Sequence, residues 1–292
     1  MIQDDASIDV RVGGKTVRMN LSVFSQAKSG PREEDNEDMF AYNDSSFVLA
    51  DGSTPKQGNA KEIGGLSGGR IAAELVAQKA LATGSNGRQL VDYLTDAIRT
   101  FYAKSVPEAL TEPRATFATT LVVARIVVAK GDLQLIITQV GDTAFRINGK
   151  DVYTEERQMD AIDAATRAAE IKRLIKQGTP EEKAVPLGRQ SIEASLNTQY
   201  RLWNNPDDPL GFGYINGYQV PDKFIRVHTF PLQSIHALEV FSDGYPLLPT
   251  ETTVAAWESA YHSVQESDPY RYKKFPATKP KDDRTIAVVR FL

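Results

Sequence analysis

The sequence predicts an α+β fold in which helices cover packed antiparallel sheets. Three observations carry this. Runs rich in β-branched and aromatic residues are joined by tight turns, as antiparallel strands are. Segments with apolar residues three and four apart mark helices. Strand runs and helices are segregated along the chain instead of alternating singly.

The elements follow in order. Glu37 and Asp38 precede one apolar run, and "SFVLA" (46–50) leads into Asp51-Gly52. The helical segments "GRIAAELVAQKALA" (69–82) and "RQLVDYLTDAIRTFYAKS" (88–105) come next as a pair. "TFATTLVVARIVV" (116–128) turns at Lys130-Gly131-Asp132 into "LQLIITQV" (133–140), which ends at Gly141-Asp142. "TAFRI" then reaches Asn148-Gly149, a strong hairpin signal because both residues tolerate positive φ. A helix over 160–178 ends on a glycine, and "NNPDDPLGFGYINGYQVPDK" (204–223) reads as loop. "FIRVHTF" (224–230), "ALEVFS" (237–242), a helix over 253–265 and the closing strand "TIAVVRFL" (285–292) complete the set. With no internal repeat and no linker, one domain over 1–292 is expected.

Composition excludes several classes. A net charge of −4 leaves no basic footprint for nucleic acid, and no apolar run approaches the length of a membrane span. The start of the chain lacks the basic and apolar regions of a signal peptide, so a cytoplasmic protein is expected. Without cysteine there is no thiolate nucleophile or disulfide framework. The three histidines, His228, His236 and His262, form no close pair, which argues against a zinc hydrolase. No Walker-type phosphate loop or G-x-S-x-G elbow is present, and the glycine cluster "GGLSGG" (64–69) reads as the start of a helix.

The acids are distributed unusually. Asp51, Asp142 and Asp243 each terminate a strand run, Asp282-Asp283 precede the last strand, and Glu37-Asp38 precede the first. Any one of these is most simply a turn or a solvated loop. Recurrence at nearly every sheet end is different, because such ends can converge. Converged carboxylates without histidine or cysteine suit hard, oxygen-seeking cations, magnesium or manganese. Such ions activate water for phosphoryl transfer.

"NED" (36–38), "VLADG" (48–52), "ATTLVVARI" (118–126), "VGDT" (140–143), "FSDG" (241–244) and "DDRTIAVV" (282–289) occur in that order. Together they resemble the PPM-type (type 2C) metal-dependent serine/threonine protein phosphatases, over nearly the whole chain. The resemblance implies a four-layer α-β-β-α sandwich of two antiparallel sheets flanked by helix pairs. It also implies hydrolysis of phosphoserine or phosphothreonine in proteins, with phosphorylated proteins as substrates, a cognate Ser/Thr kinase as counterpart, and Mg2+ or Mn2+ as cofactor. Under it, Asp51 bridges two core ions with the Gly52 carbonyl as a further ligand. Glu37 serves one ion, and Asp243 and Asp282 the other. Asp38 orients a metal-bound water, and Asp142 with Asp243 holds a third, weaker ion.

Three departures from the family pattern stand out. The phosphate-binding arginine usually lies five residues before the second acid of "ED"; Glu33 is there instead, and Arg32 reaches the role only through a small insertion. "DGxGG" is replaced by "DGSTP", leaving no histidine to act as a leaving-group acid. The interval of about 150–236, from which the family's flap arises, holds atypical text, so substrate choice is expected to differ. A catalytically silent adaptor and a phosphatase for a small phosphomonoester are the competing functions. The adaptor is disfavoured because every metal-ligand position remains acidic.

Overall fold

The computed structural model describes residues 2–30, 32–53 and 63–292. Its strands are β1 (Ile2–Val12), β2 (Lys15–Gln26), β3 (Asp38–Asn43), β4 (Ser46–Ser53), β5 (Ala118–Ala129), β6 (Asp132–Val140), β7 (Ala144–Ile147), β8 (Asp151–Tyr153), β9 (Arg226–Pro231), β10 (Ala237–Phe241) and β11 (Arg284–Phe291). They form two antiparallel sheets, ordered β1-β2-β11-β10-β7-β8 and β3-β4-β5-β6-β9.

Alternation of side chains decides the layering. Phe47 and Leu49 of β4, with Val122 and Ala124 of β5, point between the sheets and meet Leu21, Phe145, Leu238 and Val289 of the other sheet. The intervening Val48, Ala50, Leu121 and Val123 face outward and are covered by α1 (Gly68–Leu81) and α2 (Gly87–Ser105). On the far side α6 (Val254–Ser267) lays Trp257 and Tyr261 on Phe24, Phe241, Ile286 and Val288. The result is the α-β-β-α order expected. A further pair, α3 (Gln158–Lys176) and α4 (Glu181–Ser191), packs on itself through Ala168, Ile171 and Ala184, with Tyr272 closing the cluster. A single helical turn, α5 (Glu193–Leu196), follows α4.

The hairpin at Asn148-Gly149 takes positive φ at both residues, 54° and 69°, as a two-residue turn requires. The stretch 204–223 is a loop, but a tied one. Asn204 clasps Tyr214 through both its backbone N–H and its carbonyl, each at 2.9 Å, and Thr119 of β5 bridges to Ile215. Two elements went unread in the sequence. The β1–β2 hairpin shows the alternation Val17, Met19, Leu21, Val23 after a Gly13-Gly14 turn, a signal that the sequence does carry. Helix α4 was hidden by Pro186 inside it, which ordinarily argues against helix. Among the described residues, no helix is long and apolar enough to cross a membrane.

Candidate functional site

Ladder register brings the acids to one end of the sandwich. Asp38 of β3 is opposite Asp51 of β4, and Asp51 is opposite Thr120 of β5. Leu121 pairs with Val140, so Gly141-Asp142 extend the same row as β6 ends. In the other sheet Phe241 pairs with Ile286, so Ser242-Asp243 leave β10 beside the arriving Asp282-Asp283. Gly141 makes the turn at φ 79°, where a Cβ would lie 2.4 Å from Thr120 Cγ2.

A cavity of about 80 Å³ opens there, and Asp51, Gly52, Asp142, Asp243 and Asp282 all line it. Five of the six residues expected to hold metal are therefore together. The sixth, Glu37, is one shell away: its Oε1 accepts from Ser67 Oγ at 2.8 Å and its Oε2 pairs with Lys28 Nζ at 2.6 Å. Asp283, the neighbour of Asp282, turns back instead, accepting from the Lys28 backbone N–H at 2.9 Å and from Lys28 Nζ at 2.6 Å. Asp38 is buried and does not line this cavity but a second one of about 550 Å³, and Ser242 Oγ donates to its Oδ2 at 2.7 Å.

The glycine cluster serves the helix start. Ser67 caps α1 by accepting from Arg70 N–H at 3.2 Å. A Cβ on Gly52 would lie 2.2 Å from the Gly69 carbonyl oxygen, so the end of β4 and the start of α1 touch through bare backbone. Thr54 and Pro55 of "DGSTP" lie outside the described residues.

Arg32 is not where a phosphate clamp should be. Its side chain is 72% exposed and paired with Asp35 at 2.9 Å across a short 3-10 turn; it lines the second cavity with Asp38, not the one that Asp51, Asp142, Asp243 and Asp282 share. Arg201, in the stretch that follows α5, is also exposed and stacks on Tyr200. The basic groups that do reach the site are ones sequence reasoning missed. Arg157 pairs with Asp142 at 2.6 Å, Asp160 at 3.1 Å and Asp243 at 3.2 Å. Lys279 pairs with Asp282 at 2.6 Å, and Lys28 joins Glu37 to Asp283. Each stands alone in a turn or loop, where a single Lys or Arg has no pattern to mark it.

Electrostatics follow from this placement. Burial, then repulsion from Asp38, Asp243 and Asp142, pushes the Asp51 carboxyl well above its ordinary range. Burial and the nearby Asp283 and Asp282 raise Asp38 to about 7, against the opposing Ser242 hydrogen bond. Asp243, about one-third exposed, and Asp142 are also raised, burial again leading. Asp282 goes the other way: burial would raise it, but Lys279 and Lys28 together hold it low.

The donors fit a hard cation. They are oxygen throughout, and two buried oxygens, Asp38 Oδ1 and Asp142 Oδ1, have no hydrogen-bond partner among the described residues. As the side chains stand, no three acidic or histidine groups among the described residues are close enough to hold one ion together. A groove of about 510 Å³ leads away from the cavity, sharing Asp142, Asp243 and Asp282 and continuing past Val152, Tyr245 and Leu248.

No family model matches the sequence, and no curated protein does either. Among solved structures, the chain is similar to the Mycobacterium tuberculosis serine/threonine phosphatase PstP/Ppp, at 17% identity and a TM-score of 0.49, over 94% of this chain and 98% of that one. It is similar to the catalytic domain of PstP in complex with two manganese ions at 16% identity and a TM-score of 0.49, over 94% and 99%. The Staphylococcus aureus phosphatase Stp1 is similar at 14% identity and a TM-score of 0.46, over 92% and 94%.

Proposed function

We propose that the chain is a divalent-cation-dependent phosphatase acting on phosphoserine and phosphothreonine in proteins, which a cognate Ser/Thr kinase supplies. The observation that carries this is the convergence of Asp51, Asp142, Asp243 and Asp282 onto one cavity from four separate places, the end of β4, the segments after β6 and β10, and the segment before β11. The six ordered motifs that contain these residues support the same reading. In it Asp51, Gly52, Glu37, Asp243 and Asp282 hold two core Mg2+ or Mn2+ ions, and Asp142 with Asp243 offers a third position. Bound there, the ions would supply a water of lowered pKa and offset charge on the phosphoryl oxygens.

The protein's own groups do the rest. Asp38, buried and fixed by Ser242, would orient a metal-bound water. The adjoining groove, with Val152, Tyr245 and Leu248 along it, gives room for residues flanking the phosphorylated side chain. The segment of about 150–236 acts as the flap, because Arg157, Asp160, Gln199 and Tyr214 from it complete the cavity wall.

A second reading has a specific observation behind it. Lys28, Arg157 and Lys279 already neutralise part of the acidic cluster, as a catalytically silent adaptor would allow. The two readings separate in one experiment. Thermal melts and hydrolysis of a chromogenic aryl phosphate, then of phosphoserine and phosphothreonine peptides, are measured with and without millimolar Mn2+ or Mg2+. The phosphatase reading expects a rise in Tm and cation-dependent turnover. A flat melt with no turnover leaves the adaptor.

A further inference from the structure

The geometry points to Arg157 as an internal competitor for the cation at Asp142 and Asp243, a built-in positive charge that opposes an ion at those carboxylates. This rests on the phosphatase reading for the ion itself, and on the placement of Arg157 for the competition.

Arg157 occupies the N-cap position of α3, where Ser, Thr, Asp or Asn is favoured and a positive charge opposes the helix dipole. It makes no cap hydrogen bond. Its side chain runs into the carboxylate cluster, 14% exposed, with Nη2 at 2.6 Å from Asp142 Oδ2 and 3.2 Å from Asp243 Oδ2. A divalent cation held by those two oxygens would lie within a few ångströms of the guanidinium, so the charge of the arginine opposes that of the ion and its hydrogen bonds occupy lone pairs the ion would use. Asp142 Oδ1, buried and without a hydrogen-bond partner among the described residues, adds an acceptor that the arginine leaves unused.

The arginine's seat is itself built. Nη1 donates to the Tyr214 hydroxyl at 2.5 Å, and the guanidinium lies 5.8 Å from the ring centroids of both Phe212 and Tyr214. Those aromatics belong to the turn-rich stretch 204–223, which Asn204 ties down. The most unusual part of the sequence thus holds the competing charge in place. Arg157 is a positioning residue here, acting on the substrate through the ion it admits or excludes.

The test is Mn2+ binding by titration calorimetry and by Tm shift at fixed ionic strength, on the wild-type chain and on Arg157→Met, Arg157→Lys and Tyr214→Phe. Removing a unit charge a few ångströms from the ion should tighten Mn2+ binding by about tenfold or more in Arg157→Met. Arg157→Lys, which keeps the charge, should gain less. Tyr214→Phe, which only loosens the seat, should also tighten binding modestly, and it serves if Arg157→Met does not fold. Unchanged or weaker binding in the variants, with the wild type binding Mn2+, overturns the inference and leaves the phosphatase reading standing. No binding in any of the proteins overturns both.

Discussion

Asp38 and Asp51 are directly opposed across the β3–β4 ladder, yet their carboxylates serve different spaces. Asp51 lines the cavity of the converged acids, whereas Asp38 lines the second one and is held by Ser242, itself fixed by the Thr285 N–H at 2.9 Å. One strand pair thus sets its two acids in separate cavities.

Asp51 and Asp142 should respond oppositely to loss of charge. Asp51 has buried repulsion and no basic partner among its leading influences, so Asp51→Asn should stabilise the cation-free chain by about 1 kcal/mol, or roughly 2–4 °C in Tm. The same variant should lose turnover entirely, since Asp51 is proposed to bridge both core ions. Asp142→Asn removes the partner of Arg157 and should lower the Tm of the cation-free chain while slowing, not abolishing, turnover. Melts in chelator and rates in Mn2+ check both halves. Parallel responses in the two variants would break the assignment.

Arg32 should matter little. Its side chain is spent on Asp35 and solvent and does not line the cavity of the converged acids, so Arg32→Ala should leave KM within about twofold on aryl phosphate and phosphopeptide alike. An arginine that gripped the phosphate would instead raise KM by about ten- to a hundredfold when removed, the value of a charge-assisted contact. Steady-state kinetics on both substrates decide between the two. A large rise in KM would show that Arg32 swings inward onto the phosphate.

What could be read in advance follows from how each residue is marked. Asp51, Asp142 and Asp243 sit immediately after apolar runs and beside glycine, so strand periodicity locates them and tells which end of the sheet they occupy. The layering was equally legible, because Val48 and Ala50 against Phe47 and Leu49 already describe a strand buried on both faces. Lys28, Arg157 and Lys279 were not legible. All three lie in turns or loops outside any strand or helix period, and no local period records where a side chain in a loop will point. Arg32 misled for the same reason: proximity in sequence to Glu37 does not fix the direction of a side chain in a turn.

Buried charge elsewhere predicts a stability effect separable from the site. Arg146 and Glu239 pair at 2.5 and 2.6 Å, 3% and 0% exposed, with Trp257 Nε1 also donating to Glu239 at 2.7 Å. Glu239→Gln leaves a buried guanidinium without its counter-charge and should cost about 3–5 kcal/mol. Replacing both partners by apolar residues should cost much less. Denaturant unfolding of the single and double variants measures the difference.

The last prediction concerns acid. Asp268 closes α6, fully buried, and its carboxylate gathers four backbone N–H groups: Tyr272 at 3.2 Å, Lys273 at 2.9 Å, Lys274 at 2.8 Å and Phe275 at 3.0 Å. Burial alone would raise its pKa, but these bonds outweigh it and hold the carboxyl below its ordinary value. A folded-state pKa below the unfolded one contributes stability above the unfolded value, about 3.9, and that contribution is lost as pH falls through the folded value. Asp268→Asn, whose amide cannot accept at both positions, should therefore be less stable than the wild type by about 1–2 kcal/mol at pH 6–8. The gap should begin to narrow as pH falls below the unfolded value and close below the lowered folded value, where the wild-type carboxylate is protonated too. The loop this carboxylate holds carries Arg271 toward the groove beside the acids, so the same variant should weaken binding of phosphopeptides more than of aryl phosphate. Urea titrations across pH 3–8 test the first claim. A gap that persists unchanged to pH 3 would mean that shape, not charge, is what Asp268 supplies.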